Sequence, residues 1–240
     1  MKIPLNKRQR IILPDALAKR RKEFKVRKNY EEQLQKLKTQ LISMGSLVEE
    51  AIYKSIEALK KQDLKLAQSV IENDSHIDDF EKKLEEECTR IIALQQPVAG
   101  DLRMIMVISR LTTDLERIGD YACNIAEMVQ RIGEKPLIKP LIDIPRMTEI
   151  VVIRLKESLD AFVNLDVEVA KRVARGDDEI DVLDQQILRE LLTYMMEDPS
   201  TIEQSTCLIF ISRFLERIGD HSTNICERVI YLSTGKRKNY

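Results

Sequence analysis

Tryptophan is absent from this 240-residue chain, and glycine and proline number only 7 each. That leaves few places to break a helix. With 33% of residues charged and lysine, glutamate and leucine abundant, the balance points to a soluble, helix-rich protein. Cysteine is scarce as well. Cys88, Cys123, Cys207 and Cys226 include no Cys-x-x-Cys pair, and all fall in helical patterns. Small reduced core residues are therefore expected, rather than disulfides or thiolate metal sites, as suits a reducing cytoplasm. No apolar run approaches the roughly 18 residues of a membrane helix. Near the basic N-terminus, Ile11-Ile12-Leu13 is too short for the apolar part of a secretion signal, so a cytoplasmic location is expected.

Histidine occurs twice, as His76 and His221. A di-iron helical enzyme places histidines three residues after glutamates, but positions 73 and 218 hold Asn73 and Ile218. Redox chemistry, and enzymatic activity with it, is set aside. Both histidines lie beside acidic residues, at the surface or behind them.

Charge is present in both signs but unevenly placed. Residues 1–28 hold eleven Lys or Arg against two acids, a net +9, which leaves −10 on the remainder of a chain whose total is −1. Pro4 and Pro14 interrupt residues 1–25, which lack sustained helical periodicity and read as a flexible or partly helical basic extension, or as a patch for anionic lipid or nucleic acid. From about Asn29 the apolar positions Leu34, Leu37, Leu41, Met44, Val48, Ile52, Ile56 and Leu59 step by three and four, a helical stripe. Asp63 caps a second helix to about Gln96. Pro97 and Gly100 break it, and a third helix runs from Asp101 to near Gly133. The proline-rich stretch to Pro145 is a linker. The pattern then repeats: a helix from Met147 to about Asn164, a fifth capped by Asp166 and weakened at Gly176, and a sixth opened by a Ser200/Glu203 capping box.

The expectation is an all-α protein of two tandem, sequence-related three-helix bundles with six long helices. Its parts are the basic extension (1–25), the first bundle (26–133), the linker (134–145), the second bundle (146–235) and a basic tail (236–240).

The duplication is sharpest in one pentapeptide. Glu116-Arg117-Ile118-Gly119-Asp120 returns 100 residues later as Glu216-Arg217-Ile218-Gly219-Asp220, and Asn124, Ile125 and Glu127 return as Asn224, Ile225 and Glu227. Each copy sets acids four apart, where like charges cost a helix roughly 0.2–0.5 kcal/mol per pair. The preceding helix of each unit adds a second acidic stripe. In the first unit it is Asp74, Asp78, Glu81 and Glu85, and in the second Asp177, Asp181 and Asp184, with Leu188 where a fourth acid would fall. A solvated face, on which Arg117 and Arg217 each reach the following Asp120 or Asp220 at i+3, would explain the stripes, as would an inter-helix ion-pair network. So would a multivalent cation held by carboxylates on two neighbouring helices, with oxygen ligation suited to Mg, Ca, Mn or Fe. The cation site is the preferred reading. Its ligands are Asp74, Asp78, Glu81, Glu116, Asp120 and Asn124 in the first unit, and Asp177, Asp181, Asp184, Glu216, Asp220 and Asn224 in the second. Glu85, Glu127, Glu227, Arg117 and Arg217 stand in supporting positions. Gly119 and Gly219 cost about 1 kcal/mol each inside a helix, so a close helix approach is expected there.

The stretch Gln95-Gln96-Pro97-Val98-Ala99-Gly100-Asp101-Leu102-Arg103, the doubled Glu-Arg-Ile-Gly-Asp, and Asp220-His221-Ser222-Thr223-Asn224-Ile225 resemble the PhoU family of bacterial phosphate-transport accessory proteins. The resemblance covers about residues 27–233. It implies two three-helix bundles and multinuclear metal clusters on Glu116/Asp120 and Glu216/Asp220 with Asp74/Asp78 and Asp177/Asp181. The ions would be divalent or trivalent, with Fe, Mn or Mg expected. It also implies a cytoplasmic, non-enzymatic and often dimeric regulator. Such a protein restrains the high-affinity phosphate ABC transporter, through its ATPase, and reports phosphate status to a sensor histidine kinase. The residues themselves leave open a module of the same fold serving another transporter or channel. A nucleic-acid binder acting through the basic extension is disfavoured by the acidic body and by the absence of a DNA-reading motif. Leu188, standing where the first unit has Glu85, predicts unequal metal loading.

Overall fold

The computed structural model describes the backbone of residues 7–176 and 178–236 and the side chains of residues 30–176 and 179–236. Among these described residues there are seven α-helices, one short 3-10 turn and no strand. They are α1 (Lys7–Lys61), α2 (Leu64–Gln95), α3 (Ala99–Ile132), α4 (Asp143–Asn164), α5 (Val167–Arg175), α6 (Asp178–Glu197) and α7 (Ile202–Thr234), with the 3-10 turn at Pro199–Thr201. Helices α1, α2 and α3 form one bundle, and α4, the α5–α6 pair and α7 form the other. The two bundles meet along α3 and α7, which run antiparallel. Arg103 at the start of α3 donates to the carbonyl of Leu232 at the end of α7 at 3.4 Å, and Tyr121 further along α3 stacks on Phe214 with ring centroids 6.0 Å apart.

The apolar stripe of α1 is the core face it promised: Leu37, Leu41, Met44, Val48, Ile52, Ile56 and Leu59 are all buried. Fully burying each such side chain is worth about 1.5–3 kcal/mol. Helix α1 also crosses α4 closely. A Cβ on Gly45 would lie 2.5 Å from Cδ1 of Leu159, so a larger residue here would make the tip of Leu159 turn away. The caps at Asp63 and Asp166 are present in matching form. Asp63 accepts from the amides of Lys65 and Leu66, and Asp166 from those of Glu168 and Val169, all at 3.0–3.1 Å.

Three boundaries differ from the sequence expectation. Helix α1 begins at Lys7 rather than near Asn29, so residues 7–25 of the extension are helical; residues 1–6 lie outside the described residues. The helix runs through Pro14 even though an interior proline removes one backbone hydrogen bond and crowds the carbonyl four residues back, at a cost of about 3 kcal/mol. Helix α4 starts at Asp143, which puts Pro145 in the first turn, where its missing N–H has no partner to lose. The fifth helix is divided at Gly176 into α5 and α6, giving seven α-helices where six were expected.

The Ser200/Glu203 capping box does not form. Asp198 takes the amide and hydroxyl of Ser200, both at 2.9 Å, and Glu203 turns to Lys135 at 2.9 Å. The first part of the linker is pinned from both bundles. Gln62 donates to the Lys135 carbonyl at 2.6 Å, while Gln204 donates to Pro136 at 3.1 Å and accepts from the Ile138 amide at 2.6 Å.

Candidate functional site

Two turns of α2 and three of α3 bring the acids of the first unit face to face. Asp74, Asp78 and Glu81 are half-buried on α2, and Glu116, Asp120 and Asn124 are half-buried on α3. Glu85 and Glu127 are exposed at the margins. The helices approach here because of Gly119: a Cβ at that position would meet Cδ1 and Cγ2 of Ile77 at 2.9 and 3.1 Å, with Asp74 Oδ1 at 3.7 Å. The close approach expected at this glycine is therefore present.

Crowding shows in the carboxyl groups. Burial, then Asp120, Asp78 and Glu127, push Asp74 up to about 6. Burial, then Asp120, Glu81 and Asp78, push Glu116 up to about 7, against the pull of Arg117. Glu81 is raised by burial and by Glu85 and Asp78. These are carboxylates short of positive charge.

The second unit repeats the face with different neighbours. Burial followed by Asp220 raises Glu216, and burial followed by Asp181 raises Asp220, in each case against nearby arginines. Glu216 Oε2 is buried with no hydrogen-bond donor; Arg217 Nε stands 3.6 Å from it. Asp181 is exposed, while Asn224 and Glu227 are half-buried. Asp184 is buried and already engaged, accepting from Ser212 Oγ at 2.8 Å and pairing with Arg213 at 2.8 Å. Asp177 lies outside the described residues.

The motif arginines lie across their own acids in both copies. Arg117 is 3.5 Å from Glu116 and 3.3 Å from Asp120, and Arg217 is 3.6 Å from Glu216 and 3.8 Å from Asp220. These pairs are solvent-facing and worth little, about 0–1 kcal/mol each.

Among the described residues, no three His, Cys, Asp or Glu side chains converge closely enough to hold a metal ion as they stand. The donor set nevertheless suits a hard cation. It is all oxygen, it is under-neutralised, and in Glu216 it includes a buried oxygen that receives no hydrogen bond. The thiols do not compete. Burial, with Asp74 and Glu127 adding to it, pushes Cys123 up to about 12, and burial holds Cys226 at about 12 and Cys88 at about 11.

Three residues absent from the sequence reading prove important. Asp114, 4% exposed on α3, accepts from Arg228 Nε at 2.6 Å and lies 3.1 Å from His221 Nδ1, both on α7. Arg213 quenches Asp184. Arg154 is buried in α4 with its guanidinium on the carbonyls of Val173 and Gly176. A lone arginine after Ile150-Val151-Val152-Ile153, and a lone acid between Leu111-Thr112 and Leu115, were the available signals.

Tandem three-helix bundles joined along their third helices, each with an acidic groove around a repeated Glu-Arg-Ile-Gly-Asp, define a duplicated helical class of protein. The PhoU domain profile matches it twice, over residues 41–129 and 144–229, and the chain belongs to the PhoU family.

It is similar to the phosphate-specific transport system accessory protein PhoU homologue of Aquifex aeolicus, with 47% identity over 204 residues, covering 85% of this chain and 92% of that one. The homologue of Clostridium acetobutylicum is 44% identical over 215 residues, covering 88% and 97%. The crystal structure of PhoU from Pseudomonas aeruginosa superposes with a TM-score of 0.83 at 40% identity, covering 86% of this chain and all (100%) of that one. The phosphate transport system regulatory protein PhoU of Streptococcus pneumoniae gives 0.82 at 30% identity, over 88% of this chain and 100% of that one.

Proposed function

We propose that this protein is a non-enzymatic accessory regulator of phosphate transport that holds hard multivalent cations in its acidic grooves. Two supports converge. The relatives are named accessory proteins of a phosphate-specific transport system, and an acidic face recurs in both repeats of this chain. The observation that carries the cation reading is the carboxylate pair at the centre of each groove, Glu116/Asp120 and Glu216/Asp220, two acids answered by one motif arginine, with a buried Glu216 oxygen that receives no hydrogen bond.

Asp74, Asp78, Glu81, Glu116, Asp120 and Asn124 would hold the ion in the first unit, and Asp177, Asp181, Glu216, Asp220 and Asn224 in the second. Fe, Mn or Mg suits these ligands. A bound cation would supply the charge that the carboxylates lack and tie the second helix of each bundle to the third. The protein would then present a stiffened pair of bundles, as a cytoplasmic homodimer, to the ATPase of a phosphate transporter and to a sensor histidine kinase. Its effect on uptake and on phosphate signalling would be restraint.

Elemental analysis of protein purified without chelator tests the cation claim. Stoichiometric Fe, Mn or Mg is expected, and none, with unchanged melting on adding Mn, defeats it. Pull-down against the transporter ATPase and the kinase tests the partner claim, and binding to neither defeats that part alone.

A further inference from the structure

The two bundles are copies, so a residue's counterpart can be read by position. On the first two helices of each the offset is 103 residues. Asp63 and Asp166 are matching caps, and the Ser55 and Ser158 hydroxyls both donate three residues back, to the carbonyls of Ile52 and Leu155. On the third helix it is 100 residues, as the pentapeptide shows.

Read this way, one place differs sharply. In the first bundle a cavity of about 190 Å³ opens beside Asp74, lined among others by Ala51, Val70, Asn73, Gly119 and by Lys54, whose ammonium is already paired with Glu50 at 2.6 Å. The counterpart of Ala51 is Arg154. Its guanidinium donates to the carbonyl of Val173 at 2.9 Å, to that of Gly176 at 2.8 Å and to Thr223 Oγ1 at 3.3 Å. Val173 and Gly176 are the counterparts of Val70 and Asn73, which line the cavity. A guanidinium therefore occupies in the second bundle the place that is open in the first. The break between α5 and α6 supplies the carbonyls that hold it.

A second exchange acts in the same direction. Arg213, counterpart of Thr113, pairs with buried Asp184 at 2.8 Å. The counter-charge acting on Glu116 and Glu81 comes from Arg117, whereas Glu216 and Asp220 feel Arg217, Arg213, Arg154 and His221 between them. A fixed cation lowers the attraction of a carboxylate cluster for a mobile one, because the charge to be neutralised is already met and like charges repel at short range.

We propose that Arg154, with Arg213, is a built-in counter-ion that stands in the second bundle for the charge a bound metal brings to the first, so that metal loads preferentially at the first bundle. The proposal rests on the reading of the grooves as cation sites.

It is tested on full-length protein stripped with chelator and titrated with Mn(II) by calorimetry, with bound metal counted by elemental analysis. Glu116→Gln is expected to weaken the tightest binding at least ~10-fold, the scale of losing a metal-site group, while Glu216→Gln leaves it unchanged. Arg154→Met is expected to add a second tight phase and raise the bound ions per chain. Arg213→Thr, which installs the first bundle's residue at a partly exposed position, should do the same and covers the case in which Arg154→Met fails to fold. Equal losses from Glu116→Gln and Glu216→Gln, or no added ions in a folded arginine variant, overturn the proposal and leave the cation reading standing. Wild-type protein that binds no Mn(II) overturns both.

Discussion

Asp114 shows how one residue can govern the joint between the two halves. It is buried on α3 and, among the described residues, is answered from α7 by Arg228 and His221. Replacing it by alanine strands Arg228, so we expect a loss of about 3 kcal/mol, the low end for breaking a buried pair because Arg228 keeps some solvent. Urea denaturation measures it, and Asp114→Leu combined with Arg228→Met should recover most of the loss.

The groove carboxylates make a second prediction at this scale. Glu116 at about 7 and Asp74 at about 6 bind protons more tightly folded than unfolded. Folding is therefore opposed once both are ionised, and metal-free protein should lose stability as pH rises from about 4 to 7 and level off above that. Melting in chelator across that range checks it, and Glu116→Gln should flatten the slope. A melting temperature that rises over the same interval contradicts the assignment. The acids themselves were legible from their four-residue spacing. Asp114 was not, since a single acid on an apolar helix reads as an interruption until the opposing helix supplies its partners.

Among the elements, α2 and α3 owe their spacing to Gly119. Alanine there improves helix propensity by about 1 kcal/mol, but its Cβ meets two atoms of Ile77, one of them the Cγ2 fixed by the β-branch. Overpacking of this kind costs about 1–3 kcal/mol. Gly119→Ala should therefore be destabilising on balance, and less so in an Ile77→Ala background, as a double-mutant cycle in denaturant will show. Helix limits were legible wherever a side chain sets them locally, as at Asp63 and Asp166. They were misread where competition decides. Ser200 has the pattern of a cap, yet Asp198 holds its hydroxyl, and Glu203 is drawn to Lys135 across the linker.

Across the whole molecule, α3 and α7 are the shared wall. Tyr121 stacks on Phe214, Phe214 on Phe210, and Asp114 reaches Arg228, so each half lacks part of its packing alone. Residues 1–142 expressed separately should self-associate through the exposed α3 face, seen as a dimer or larger species by sedimentation, whereas a well-behaved monomer would mean the wall is dispensable. The sequence alone determined the all-α class, the duplication, the apolar stripe of α1 and the two acidic faces. Each of these is a periodicity or an identity along one chain, and helical geometry converts it directly into a face. Only the tertiary structure decided that the repeats join antiparallel through their third helices and that Asp184 is already spoken for. It also decided that Arg154 occupies the place left open beside Asp74. Those facts depend on which face meets which across more than twenty residues of sequence (Arg154 to Gly176 is 22). At that range no local spacing rule applies, and the doubled pentapeptide, identical in its five residues, gives no hint that its two copies sit in different fields of charge.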